Sequence, residues 1–195
     1  MGIKVNQETL QMIADLSNAR GASGFEDETV QAAAKHIGEG YTTEEDCLRN
    51  FYMYRTANSG NKPVFMLDAH SDEVGFMVHS IRPNGTLRFV ALGGWNVGSL
   101  ASSKVLVRNS EGKYLPGVIA AKPVHFMSAS EKASAGAADI SSLSIDIGAV
   151  SAKDAAENFK IRIGEPGVPD VTLEYDEEHD LMFGKAFDCR IGCAA

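Results

Sequence analysis

The sequence predicts an α/β domain interrupted by a small all-β domain. Two helical stripes open the chain and lead into a short apolar run, VFMLDAH at 64–70. Alternating segments separated by glycine-bearing turns recur from Val74, and a strand-then-helix pattern resumes at Leu181. Helices followed by a continuous apolar strand indicate an α/β layer, and short strands at regular spacing indicate a small barrel or sandwich. At 195 residues the chain is long enough for one large domain or two small ones.

The elements follow in order. Asn6 is placed to cap a first helix whose stripe is Leu10, Ile13 and Leu16, and Gly21 ends it. Ser23 and Glu26 have capping-box spacing ahead of a second helix, with Val30, Ala33, Ala34 and Ile37 on one face and Gly38 and Gly40 as the stop. Residues 47–56, with FYMYRT, read as a strand, NSGN as a turn, and 64–70 as a strand buried on both faces. Residues 74–81 and 87–92 flank RPNG as a hairpin, and 104–108 and 114–120 flank NSEGK as another. Residues 143–150 read as a strand and 151–159 as a short capped helix. Residues 162–172, with EPGVPD, read as a tight turn region, and the small-residue stretch 122–140 as a mobile loop.

Composition excludes several classes. A net charge of −8 without a basic stripe argues against a nucleic-acid partner. No apolar run approaches the ~20 residues that span a bilayer, so no membrane partner is expected. Cys47, Cys189 and Cys193 are odd in number and too few for a disulfide framework. The opening MGIKVNQETL lacks a secretory pattern, and Asn6 stands where a myristoylation signal wants Ser or Thr. A reduced, cytoplasmic protein is the expectation.

The chemistry concentrates in LDAHSDEV. Positions two apart on a strand share a face, so Asp68, His70 and Asp72 are expected to look into one crevice at the strand's carboxyl end. In His-x-Asp the imidazole can bind a metal through one nitrogen while the carboxylate holds the proton on the other. The same pair also fits a structural histidine beside a solvated aspartate. The acidic run Glu174, Asp176, Glu177, Glu178, His179 and Asp180 reads either as a cation trap or as a solvated connecting strand. His36, His79 and His125 carry no derivable role.

Eight stretches widen the view: GASGFEDE, AHSDEVGFMV, GGW at 93–95, GKYLPGVI, KPVHF, IDIGAVS, IGEPGVPD and GKAFDCRIGC, in that order. Together they resemble the glutamyl and deblocking aminopeptidases, the TET-type dinuclear metallopeptidases, over essentially the whole chain. The resemblance implies a partial α/β/α catalytic domain with an inserted small β-barrel. Its segments are 1–73, then the barrel at 74–178 for oligomerisation or as a lid, then the catalytic domain resumed at 179–195. It implies two divalent metal ions, zinc or cobalt, peptide substrates, and a homo-oligomer. His70 is then a metal ligand, Asp72 the catalytic carboxylate that orients it, and Asp188 the carboxylate bridging two ions. An anionic bridge offsets the repulsion of two dications held ~3.5–4 Å apart.

Two departures follow. Cys189 stands where the family has Asp or Asn, and is either a thiolate ligand or an inert thiol; Cys193, four residues on, is expected on the same helix face. The family's adjacent glutamates, one the general base and the next a metal ligand, a further acidic ligand and a final histidine all lie beyond the bridge, whereas Asp188 stands seven residues before Ala195. The expectation is a site cut short before its base, completed by a chain supplying the missing C-terminal half. The alternative is a non-catalytic oligomerisation or binding module.

Overall fold

Strand pairing divides the molecule before any other property does. The computed structural model describes residues 5–58, 63–129 and 139–195. Contacts separate it into one unit of Met1–Asp72 with Thr172–Ala195 and another of Glu73–Val171.

The second unit is a closed six-stranded antiparallel barrel. Its strands are β3 (Gly75–Ile81), β4 (Leu87–Leu92), β5 (Lys104–Arg108), β6 (Tyr114–Ala120), β7 (Ser144–Asp146) and β8 (Pro166–Pro169), in the order β3-β4-β7-β6-β5-β8. Period-two alternation sends Phe76, Val78, Leu87, Phe89, Val105, Val107, Ile119 and Ile145 into one core. Phe76 meets Phe89 edge-on at 4.8 Å and stacks on Trp95 at 4.7 Å, while the indole N–H donates to the Gly75 carbonyl. The RPNG turn carries Gly85 at φ +89°, and a side chain there would collide with the Ala149 carbonyl. Helix α3 (Ala152–Glu157) is capped by Ser151, whose Oγ accepts from the Asp154 N–H, and it buries Ala155 in the barrel core.

Two sequence readings of this unit change. EPGVPD is not a turn: Pro166–Pro169 closes the barrel, pairing Gly167 with both Phe76 and Val107. Proline gives up only its donor, and neighbouring carbonyls still accept, as Glu165 does from the Val78 N–H at 2.9 Å. Gly167 permits the approach, since a Cβ there would lie 3.3 Å from the Leu106 carbonyl oxygen. The strand expected over 143–150 shortens to Ser144–Asp146, preceded by a 3-10 turn at Ile140–Ser142. Of the loop read over 122–140, residues 130–138 lie outside the described residues, and the described part holds a 3-10 turn at Val124–Phe126.

The first unit holds α1 (Gln7–Asn18) and α2 (Asp27–Lys35), the hairpins β1 (Tyr41–Glu45)/β2 (Phe51–Arg55) and β9 (Glu174–Asp176)/β10 (Leu181–Phe183), and α4 (Phe187–Cys193). Asn6 caps α1 through the Thr9 N–H at 2.7 Å, as the sequence indicates, and α1 stops at Asn18, ahead of Gly21. Leu16, Ala19 and Ala32 form its small core, with Met12, Ala33, Cys193 and Ala194 against it.

Two expectations fail here and a third is shortened. The capping box is absent: Glu26 accepts from the Gly24 N–H and caps α2 only by position, while the Ser23 hydroxyl is used elsewhere. The strand read over 47–56 is present but shorter, Phe51–Arg55, as the second arm of a hairpin. Cys47 lies in its turn, where Asp46 accepts from the Leu48 and Asn50 N–H groups. Residues 64–70 form no strand, and Val64, Phe65, Met66 and Leu67 are exposed, from 76% at Met66 to 86% at Phe65. An apolar run becomes a strand only where neighbours satisfy its backbone groups, and no described strand pairs with it. The part of NSGN at 59–61 lies outside the described residues.

Candidate metal centre

The site is built where α4 grips the segment 69–72. The grip begins with Arg190, a charged side chain only 1% exposed. Its Nε donates to the Ser71 carbonyl at 2.8 Å, and Nη1 donates to the Leu16 and Ala19 carbonyls at 2.9 and 2.6 Å. One guanidinium thus fastens the end of α1 to the peptide between His70 and Asp72. Gly192 lets α4 come close, since a Cβ there would stand 3.0 Å from the Ala69 methyl and 3.1 Å from Cys189 Sγ. The Cys193 thiol donates to the His70 carbonyl at 3.5 Å. Burial pushes that thiol's pKa up, neighbouring Cys189 adds to the rise, and Arg190 opposes it.

On this support His70 is oriented at both ring nitrogens. Nδ1 lies 2.9 Å from Asp72 Oδ1, which places the proton there, and Ser23 Oγ donates to Asp72 Oδ2. Both carboxylate oxygens of Asp72 are therefore engaged in orientation. Nε2 faces Asp188 Oδ1 at 3.4 Å. Donor atoms of His70, Asp188 and Cys189 all lie within 4.8 Å of one another.

The donor chemistry fits a divalent cation. Nitrogen and oxygen ligands at ~2.0–2.2 Å from a tetrahedral zinc lie roughly 3.3–3.5 Å apart. The Nε2 to Oδ1 separation of 3.4 Å falls in that range and is long for a hydrogen bond. Asp188, 98% exposed, is free to turn toward an ion. The set suits one ion; among the described residues no further His, Cys, Asp or Glu joins the three to hold a second.

The sequence-predicted residues sort clearly. His70, Asp72 and Asp188 come together. Asp68 does not join them, because without a strand the alternation that would aim it has no effect. Cys189 joins the cluster and Cys193 does not. The expected shared helix face is lost because Asp188 and Cys189 have non-helical backbone angles inside α4. The acidic run is a hairpin turn, where Asp176 accepts from the Glu178 and His179 N–H groups and meets His179 Nδ1 at 2.8 Å. His36 pairs with Asp15, His79 is exposed at a register break in β3, and His125 is exposed on a 3-10 turn. Ser23, Arg190 and Gly192 are supports the residue-by-residue reading passed over. The Arg-x-Gly that follows Asp188 and Cys189 was the available signal.

A sequence profile of the M42 glutamyl aminopeptidases matches residues 50–195. The chain belongs to the M42 glutamyl aminopeptidase family. The glutamyl aminopeptidase of Lactococcus lactis subsp. cremoris is 32% identical over 187 residues, 95% of this chain and 52% of that protein. Among solved structures, a TET aminopeptidase from a marine sediment archaeon of the Thaumarchaeota superposes with a TM-score of 0.87 at 31% identity, covering 96% of this chain and 51% of that one. The TET1 peptidase of Pyrococcus horikoshii, which can assemble into a tetrahedron or a large octahedral shell, superposes at 0.79 and 23% identity, a likeness of fold. It covers 95% of this M42 chain and 53% of that one. This M42 chain spans about half the length of these relatives.

Proposed function

We propose that this M42 chain carries one half of the site of a metal-dependent aminopeptidase that removes N-terminal residues from peptides. The observation that carries the reading is His70, its Nδ1 held by Asp72 and its Nε2 turned to Asp188 at ion-sharing distance. In this reading His70 and Asp188 would hold a zinc or cobalt ion, and Asp188 would be the carboxylate shared with a second. A divalent ion so bound polarises the scissile carbonyl and lowers the pKa of water. Asp72 fixes the imidazole tautomer, Ser23 fixes Asp72, and Arg190 holds the peptide between them. No glutamate joins the cluster among the described residues, so the proton-accepting base and the second ion's ligands come from a further segment or a second chain.

The test is the metal content of the chain purified without chelator, against His70→Ala. Stoichiometric zinc or cobalt lost in the variant supports the reading, and equal metal in both proteins refutes it. Adding a polypeptide that supplies the remaining half of an M42 relative is then expected to give metal-dependent release of N-terminal residues.

A second reading, a non-catalytic assembly module, is favoured by the lack of a glutamate at the cluster among the described residues and by the closed barrel. A discrete homo-oligomer in sedimentation, without bound metal, would select it. Three free thiols support a reducing, cytoplasmic setting.

A further inference from the structure

We infer that Cys189 is itself a metal ligand, making the site a mixed imidazole–carboxylate–thiolate centre that selects thiophilic divalent cations. The inference rests on the metal-site reading above and deepens it. The two cysteines of α4 are treated differently by the fold. Cys193 is engaged by main-chain carbonyls, whereas Cys189 Sγ lies within 4.8 Å of the His70 and Asp188 donor atoms.

Local backbone explains the difference. In a regular helix adjacent side chains diverge by roughly 100°. Here Asp188 has φ −88°, ψ 106° and Cys189 has φ −116°, ψ 24°, and the two adjacent side chains bring their donors to one place. Gly192 leaves room behind the sulfur, since a Cβ there would stand 3.1 Å from Sγ.

The chemistry of the three donors points to one class of ion. A neutral imidazole, a carboxylate and a thiolate together bring two negative charges, which a dication neutralises. Sulfur is a poor ligand for Mg²⁺, Ca²⁺ and Mn²⁺, and a strong one for Zn²⁺, Cd²⁺ and Co²⁺. His70 and Asp188 are exposed, which leaves a fourth tetrahedral position open to solvent or another ligand.

The experiment titrates the metal-free 195-residue chain with Co²⁺ and with Cd²⁺, reading the sulfur-to-metal charge-transfer absorption in the near ultraviolet. Affinity is measured in parallel by competition with a chromogenic chelator. The band is expected in the wild type and in Cys193→Ser. It is expected to vanish in Cys189→Ser and Cys189→Ala, with Cd²⁺ affinity at least ~10-fold weaker. Far-UV circular dichroism matching the wild type identifies the folded variants, and the two replacements at 189 guard against one of them misfolding. A band that survives in folded Cys189 variants overturns the inference. So does metal bound through His70 with no charge-transfer band, an outcome that leaves the broader metal-site reading standing. Affinity and band unchanged in His70→Ala would remove that reading and this inference together.

Discussion

Replacing Arg190 with methionine tests whether one buried guanidinium organises the site-bearing unit. Methionine keeps much of the volume and the flexible stem but donates nothing. The change strips three carbonyls, those of Leu16, Ala19 and Ser71, of donors now at 2.6–2.9 Å. A hydrogen bond from a charged donor contributes about 1.5–3 kcal/mol, and a buried acceptor left unsatisfied costs ~1–3 kcal/mol. Against this, removing the charge relieves the desolvation of a side chain only 1% exposed. The net loss expected is ~3–4 kcal/mol, a large share of a domain's ~5–15 kcal/mol. At 1.4 kcal/mol per factor of ten, the open population of α1 rises by roughly 100- to 1000-fold. Amide hydrogen exchange across Gln7–Asn18 measures this directly, and Trp95, the sole tryptophan, gives a reference transition from the barrel core. Arg190→Lys, which keeps the charge but not the fork, is expected to fall between. A drop in α1 protection below about 5-fold in Arg190→Met would correspond to ~1 kcal/mol and would refute the reasoning.

Other expectations are shorter to state. Leu87→Ala empties a wholly buried position where β4 meets Ile145 of β7, and is expected to destabilise the barrel by ~2–5 kcal/mol, read as an earlier Trp95 fluorescence transition in urea. Gly192→Ala drives a methyl against Ala69 and Cys189 Sγ, and is expected to cost ~1–3 kcal/mol and to weaken metal binding; unchanged affinity would contradict the close-approach role. Burial acts to raise the pKa of Asp15, but hydrogen bonds from His36 and Gln11 and the charges of His36 and Lys35 outweigh it and hold the carboxyl below its usual value. A depressed carboxyl stabilises the fold above its unfolded pKa of about 3.9, and that contribution is lost as pH falls through the lower folded value. The α1–α2 contact should therefore loosen in acid only below about pH 4, and the difference between wild type and Asp15→Asn should shrink as pH drops through that window.

The barrel was the more legible half of the fold. Its hairpins announced themselves because RPNG and NSEGK are local turn chemistry and because one buried face imposes alternation. β8 escaped for a physical reason. PGVP carries turn residues, and what makes it a strand is two partners distant in sequence, β3 and β5, that a linear reading cannot supply. The run at 64–70 failed the opposite way. Its apolar texture is that of a buried strand, but burial is a property of neighbours, and the described residues leave it exposed. Hydrophobicity there reports what the segment is suited to bury against, and it does not supply the surface.

The same distinction governs the site. His70 and Asp72 were readable because two residues separated by one position have a chemical relation that survives the loss of the strand. The orienting hydrogen bond forms in an irregular segment as well. Asp188 was readable only through a motif, since nothing local relates it to residues more than a hundred positions away. The Cys189 alternatives were left open by the sequence because a thiol beside a site is structural or ligating according to where its sulfur points. That direction is set by the backbone angles of two residues at the start of α4 and by a glycine three residues later. A residue type names the chemistry available, and the backbone around Asp188 and Cys189 selects which of it faces His70. For this reason the charge-transfer titration, which detects the sulfur itself, bears on the centre more directly than metal content alone.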